Sequence, residues 1–107
     1  MKPPDNALDY EIAREQAAAL GRLGRALETA LSALADFEAG QGEPADGNPV
    51  PAAARAAQRA RLVREASHAL WCFIVQREAR GLRDPRPVLR DYRVPAEVHN
   101  RMGALAG

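Results

Sequence analysis

The chain has 107 residues with 15 basic and 14 acidic side chains, a formal net charge of +1. This length is typical of one domain, and 47% hydrophobic with 27% charged residues is a globular composition. One cysteine excludes an internal disulfide and a zinc site with several cysteines from one chain. Because no apolar run approaches the ~20 residues of a membrane span and residues 1–4 open no signal peptide, we expect a cytoplasmic protein without membrane contact.

The composition favours helices over strands. Alanine supplies 23 residues, 14 of the 15 basic residues are arginine, and only five residues are aromatic. Alanine, leucine, arginine and glutamate are good helix formers, whereas strands prefer the β-branched and aromatic residues that are scarce here. The sequence therefore predicts an all-α fold, organised as a single helical domain over residues 1–107.

A first helix is predicted over about residues 7–39. The prolines and the Asp-Asn pair at residues 3–6 are residue types that begin and cap helices. From Leu20 to Phe37 the apolar residues recur at steps of three and four, which is the period of one helix face. Gly40 is typical of the position just after a helix end.

Gly21 and Gly24 allow two interpretations of this helix. Each glycine costs roughly 1 kcal/mol relative to alanine in a helix interior, so the pair could mark a break. Alternatively, the missing side chains could allow a close helix contact. Because the apolar period runs through both glycines unshifted, we expect one continuous helix.

The rest of the chain predicts a loop, a second helix and a short tail. Residues 40–50 hold three glycines and two prolines and predict a surface loop. The second helix is predicted over about residues 51–80, ended by Gly81. Two short helices, the second ending at Gly103, are predicted in the tail at residues 82–103.

The middle of the second helix indicates how the elements assemble. Residues 69–75 are apolar on every side, and such a helix must be covered on every side. We expect the tail to fold over Trp71, Cys72 and Val75. A helix of about 32 residues is about 48 Å long, so an antiparallel hairpin of two such helices is a rod with little interior.

Self-association would enclose this apolar region. Two hairpins would form a homodimeric four-helix bundle, whereas a break at Gly21 would instead allow a compact monomer. The residues predicted to form the interface are Leu20, Leu23, Leu27, Leu34, Leu70, Trp71, Phe73 and Ile74.

Charge is divided unevenly along the chain. Residues 1–50 carry four basic and nine acidic side chains, and residues 51–107 carry eleven and five, so the halves have net charges of −5 and +6. In a hairpin this places an acidic helix beside a basic one. The tail arginines are the predicted partner-binding residues, either for a protein or, as an alternative, for nucleic-acid phosphates. These residues are Arg83, Arg86, Arg90 and Arg93. If Arg-Asp pairs pin the tail to the hairpin, the tail is instead an internal strap.

One constellation has the spacing of a metal site. Glu65 and His68 form the E-x-x-H pair of di-iron and di-manganese bundles, which makes a metal-dependent enzyme a second alternative. The apolar period places both residues away from the hairpin interior, so we interpret them as a surface pair. Cys72 lies one turn beyond His68, and its apolar neighbours predict a buried structural thiol. We therefore predict no catalytic, cofactor or metal site.

Two stretches of the C-terminal half resemble known proteins. Residues 69–78, which include Trp71 and Phe73, and residues 90–95, which include Tyr92, are similar to small helical bacterial proteins of unknown function. The resemblance implies a small all-α protein and assigns no active site. The sequence as a whole favours a non-enzymatic interaction or scaffold protein that requires no cofactor.

Overall fold

The structure, a computed structural model, describes residues 7–40, 47–48 and 50–106, with side chains up to residue 103. Its four helices are α1 (Ala7–Glu38), α2 (Ala52–Ala79), α3 (Arg86–Asp91) and α4 (Ala96–Ala106), and these described residues contain no strand. The predicted helix cap at residues 3–6 and most of the predicted loop at residues 40–50 lie outside the described part. None of the described helices combines the length and the apolarity needed to cross a bilayer.

The helices α1 and α2 pack against each other as an antiparallel hairpin. Glu38 at the end of α1 forms an ion pair with Arg59 near the start of α2, whereas Gly24 lies against Phe73 in the second half of α2. The molecule is elongated, with extents of 63 × 30 × 20 Å. It is therefore the rod that two long helices predict.

The helix α1 is continuous through both glycines, as the unshifted apolar period predicts. Gly24 is buried, and a Cβ atom there would lie 2.8 Å from the Tyr92 hydroxyl and 3.5 Å from the Phe73 ring. The Phe73 and Tyr92 rings meet edge to face with centroids 5.5 Å apart. Gly24 thus provides the space in which α2 and the tail approach α1 closely.

One stripe of α2 forms most of the core. This stripe, which we call the inner face, consists of Leu62, Val63, Ala66, Ser67, Leu70, Phe73 and Ile74, all of them buried. Against it lie Leu27 and Leu34 of α1, together with Val88 and Val98 of the tail. The apolar steps of α1 and the tail segments therefore converge on a single side of α2.

Three of the helices are followed by a residue in the left-handed region, and after α1 this residue is Gly40 with φ 78°. Gly81 has φ 88°, and its N–H donates to the Glu78 carbonyl at 2.9 Å, which closes α2 in a Schellman motif. At the end of α3 the same position is held by Arg93 with φ 53°, whose N–H donates to the Arg90 carbonyl at 3.2 Å. A side chain in this region costs roughly 1–2 kcal/mol, a penalty that glycine avoids.

The structure corrects two predictions about the tail. Helix α4 continues to Ala106, so the expected end at Gly103 is wrong; this glycine has no positive φ. The tail also does not fold over Trp71, Cys72 and Val75. The Ser67 hydroxyl lies 2.7 Å from the Val63 carbonyl of its own helix and 3.1 Å from the Val98 carbonyl, which places α4 beside the inner face instead.

Candidate functional site on the outer face of α2

The side of α2 that faces away from the core forms a continuous surface of six residues. Because successive residues are about 100° apart around a helix, these six fall within an arc of about 120°. All of them are exposed except Cys72, which is half-buried. This surface, which we call the outer face, consists of Arg64, His68, Trp71, Cys72, Val75 and Glu78.

The outer face has an exposed apolar centre. Trp71 is 38% exposed and Val75 is 41% exposed, and the two residues lie one helical turn apart. Both belong to the apolar run at residues 69–75, in which Leu70, Phe73 and Ile74 are buried in the core. Because α1 and the tail pack on the inner face, no element in the described part of the chain covers Trp71 and Val75.

His68 and Cys72 form a side-chain pair beside this apolar centre. The His68 Nε2 atom lies 3.5 Å from the Cys72 Sγ atom, and the His68 ring is stacked on Trp71 with ring centroids 6.4 Å apart. Cys72 is only half-buried, so the prediction of a buried structural thiol is wrong. The reason is angular: Cys72 lies about 160° around the helix from Leu70, on the side that no other described element covers.

Glu65 does not join this pair. Its carboxylate lies 3.7 Å from Arg61, one turn earlier in α2, and both side chains are exposed. Within the described residues no three His, Cys, Asp or Glu side chains are close enough together to hold a metal ion. Glu65 and His68 are surface residues, as the apolar period predicts.

Opposite charges mark the two ends of the outer face. Arg64 and Glu78 each lie seven residues, about two helical turns, from Trp71. Both are exposed, and neither has an ion pair among the residues that the structure describes. The face is thus apolar at its centre, positive at one end and negative at the other.

The residues predicted to form a dimer interface occupy three environments. Five are buried in the core of one chain: Leu27, Leu34, Leu70, Phe73 and Ile74. Leu20 and Leu23 are half-buried, and Trp71 is exposed. Val75 and His68 lie on the outer face with Trp71 but are absent from the predicted set. The apolar period does predict the outward position of His68.

The four tail arginines are spread over separate positions. Arg86 donates two hydrogen bonds of 2.9 Å to Asp84, and Arg90 donates one of 3.0 Å to Asp91. The bonds from the Arg86 side chain and backbone N–H hold the pKa of Asp84 below its ordinary value. These pairs join near neighbours in the tail and do not pin it to the hairpin. Arg83 and Arg93 are exposed.

The tail is instead fixed to the hairpin through Arg59. Its guanidinium donates hydrogen bonds of 2.9 and 2.7 Å to Glu97 of α4 and another to Glu38 of α1. These bonds, the Glu97 bonds foremost, raise the pKa of Arg59 above its ordinary value and lower that of Glu97. The three side chains line a cleft of about 550 Å³, which Arg93 also borders. Since Arg59 is occupied by two carboxylates, we assign it a structural role.

Comparison of the chain with family models, curated proteins and solved structures found no match.

Proposed function

We propose that this protein is a non-enzymatic interaction module that forms a homodimer through the outer face of α2. The supporting observation is the exposure of Trp71 and Val75 side by side on a helix whose opposite side is the core. Contiguous exposed apolar side chains with a polar rim are typical of protein interaction sites. Tryptophan is also among the residues that contribute most to binding energy.

The arrangement of charges favours a second copy as the partner. A two-fold axis near Trp71, perpendicular to α2, makes the two α2 helices antiparallel and sets Arg64 of each chain beside Glu78 of the other. Such an interface uses the same surface patch on both subunits and is self-complementary. The attraction occurs twice, and it selects the antiparallel orientation because parallel helices would place like charges together.

The size of the surface indicates a reversible dimer. Stable complexes bury about 800 Å² per partner, and a single helix face of four turns provides less than this. We therefore expect a dissociation constant in roughly the micromolar range.

Sedimentation velocity of the purified chain with a Trp71→Glu variant tests the proposal. We expect the wild-type chain to be a concentration-dependent dimer and Trp71→Glu to be a folded monomer, with unchanged helical circular dichroism. Tyr10→Glu is the matched control, because Tyr10 is an exposed aromatic residue on α1 and its replacement should leave the dimer intact. A wild-type chain that stays monomeric at its highest soluble concentration would refute the homodimer.

Charge reversal tests the orientation. Arg64→Glu and Glu78→Arg should each weaken the dimer, since each places like charges across the interface. The double variant should recover much of the lost affinity because the pair is restored in reverse. Two additive losses would contradict the antiparallel arrangement.

The nucleic-acid alternative has less support. Two of the four tail arginines, Arg86 and Arg90, are paired with aspartates, which lowers the positive charge that phosphates would meet.

A further inference from the structure

We infer that His68 and Cys72 of two chains together bind one zinc-class metal ion at the centre of the dimer. This inference rests on the proposed homodimer, and it adds a ligand that the dimer alone does not require. The resulting site would have two thiolate and two imidazole ligands, a common composition of structural zinc sites.

The spacing of the two donor atoms already fits such an ion. In a tetrahedral site with Zn–S near 2.3 Å and Zn–N near 2.0–2.1 Å, a sulfur and a nitrogen ligand lie about 3.6 Å apart. The observed Nε2–Sγ distance is 3.5 Å. Stacking on Trp71 supports the orientation of the His68 ring. The pair therefore presents two donors at ligand spacing on an accessible helix face.

One chain supplies only half of a closed site. A structural zinc ion needs four ligands, whereas no third His, Cys, Asp or Glu in the described residues joins the pair. Positions 68 and 72 are symmetric about position 70, so an antiparallel two-fold there sets His68 of each chain level with Cys72 of the other. In that register Arg64 and the second chain's Glu78 are offset by about 3 Å along the helix, which their flexible side chains can span.

The donor chemistry selects the class of metal. Thiolate and imidazole ligands favour Zn²⁺ and similar transition metals, whereas Mg²⁺ and Ca²⁺ prefer oxygen. On binding, each Cys72 thiol releases its proton to solvent and forms an S–metal bond, while neutral His68 donates a lone pair. The divalent ion and two thiolates then have no net charge, which suits a site between apolar Trp71 and Val75 side chains.

Metal binding should therefore strengthen the dimer. An ion that requires ligands from two chains binds the dimer and not the monomer, so mass action shifts the equilibrium towards the dimer. We expect Zn²⁺ to lower the dimer dissociation constant at least tenfold.

The experiment uses the full chain, freed of metal with a chelator and kept reduced by a phosphine. Co²⁺ titration should show the sulfur-to-cobalt charge-transfer band and tetrahedral visible bands, saturating at one ion per two chains. Sedimentation in parallel should show that Zn²⁺ tightens the dimer. Cys72→Ser and His68→Gln should abolish both effects, whereas Glu65→Gln should retain them because Glu65 is paired with Arg61. Unchanged circular dichroism and melting curves establish that the variants fold.

The outcomes separate this inference from the proposed function. A dimer that forms without metal and takes up no Co²⁺ at His68 and Cys72 would overturn the metal site and leave the homodimer standing. Saturation at one ion per chain, with the protein remaining monomeric, would overturn the shared site and the homodimer together.

Discussion

The inner and outer faces of α2 differ in solvent exposure, although residues of both faces occur in the same apolar run at 69–75. Leu70 is fully buried and its neighbour Trp71 is exposed; Ile74 is 8% exposed and its neighbour Val75 is exposed. The inner face has α1 on one side and the tail on the other, whereas no described element covers the outer face. An apolar run in the sequence therefore indicates that the segment must be buried, but it does not indicate which element buries it.

The position of the tail explains the contrast. The Ser67 hydroxyl contacts the Val98 carbonyl of α4 at 3.1 Å, and Arg59 donates to Glu97 in the first turn of α4. Both attachments lie on the side of α2 where α1 also packs. A tail fixed at these points adds to the core on the inner face and leaves Trp71 and Val75 exposed on the outer face.

The largest expected difference in stability is between two alanine substitutions, one on the inner face and one on the outer face. Leu70→Ala should lower the free energy of unfolding by about 3 kcal/mol, because it leaves a cavity in the core. Trp71→Ala should cost less than about 1 kcal/mol in the monomer, since surface substitutions usually have small effects. Urea unfolding at low protein concentration measures both. Equal losses would show that the outer face is covered within one chain.

Gly24→Ala tests how closely the inner face is packed. The new Cβ would meet the Tyr92 hydroxyl at 2.8 Å, so we expect a loss of about 1–3 kcal/mol, as for other overpacked sites. Adding Tyr92→Phe should recover part of it by removing the hydroxyl. The control is Gly21→Ala, whose Cβ meets only the flexible end of Arg25 and which should stabilise the helix by up to about 1 kcal/mol. Equal effects at both glycines would contradict the close approach.

Ser67→Ala tests the attachment of α4. The substitution removes a hydroxyl that the Val63 and Val98 carbonyls share. Losing its contact with Val98 should cost about 1 kcal/mol and increase hydrogen exchange of the α4 amides more than that of the α1 amides. The exposed Ser32→Ala should change neither. If α4 exchanges at the wild-type rate in Ser67→Ala, this hydroxyl does not hold the tail.

The smallest expected effect is the pH dependence of the Arg59–Glu97 contact. The pKa of Glu97 is lowered in the folded chain, so its stabilisation is present above the ordinary carboxyl pKa and is lost as the pH falls through the lowered value. Wild type should therefore melt slightly above Glu97→Gln at neutral pH, and the difference should vanish in acid. Glu11→Gln, an exposed substitution on α1, is the control. A difference that persists in acid would exclude the ion pair as its source.

Local sequence signals were sufficient for the helices. The apolar steps from Leu20 to Phe37 predict a continuous α1, and Gly40 and Gly81 take the left-handed conformation expected after helix ends. The same rule fails at two places. Gly103 lies inside α4, and Arg93 occupies a position after a helix end where glycine is usual.

The candidate site was only partly readable. The apolar period places Glu65 and His68 on the surface, which the structure confirms, but Cys72 was expected inside because its neighbours are apolar. Cover depends on the direction of each side chain relative to the other helices, and sequence neighbours around a helix point in directions about 100° apart. The apolar composition of the segment therefore cannot show that Phe73 is buried whereas Cys72 is only half-buried.

The sequence by itself determined that this chain is all-helical, with two long helices and a short helical tail, because helix propensity and period are local properties of the chain. Tertiary structure decided that the tail packs beside Ser67, that Tyr92 fills the space at Gly24 and that Trp71 remains exposed. These outcomes depend on which side of α2 the tail packs against. That choice is determined by shape complementarity and hydrogen bonding between segments that are distant in sequence.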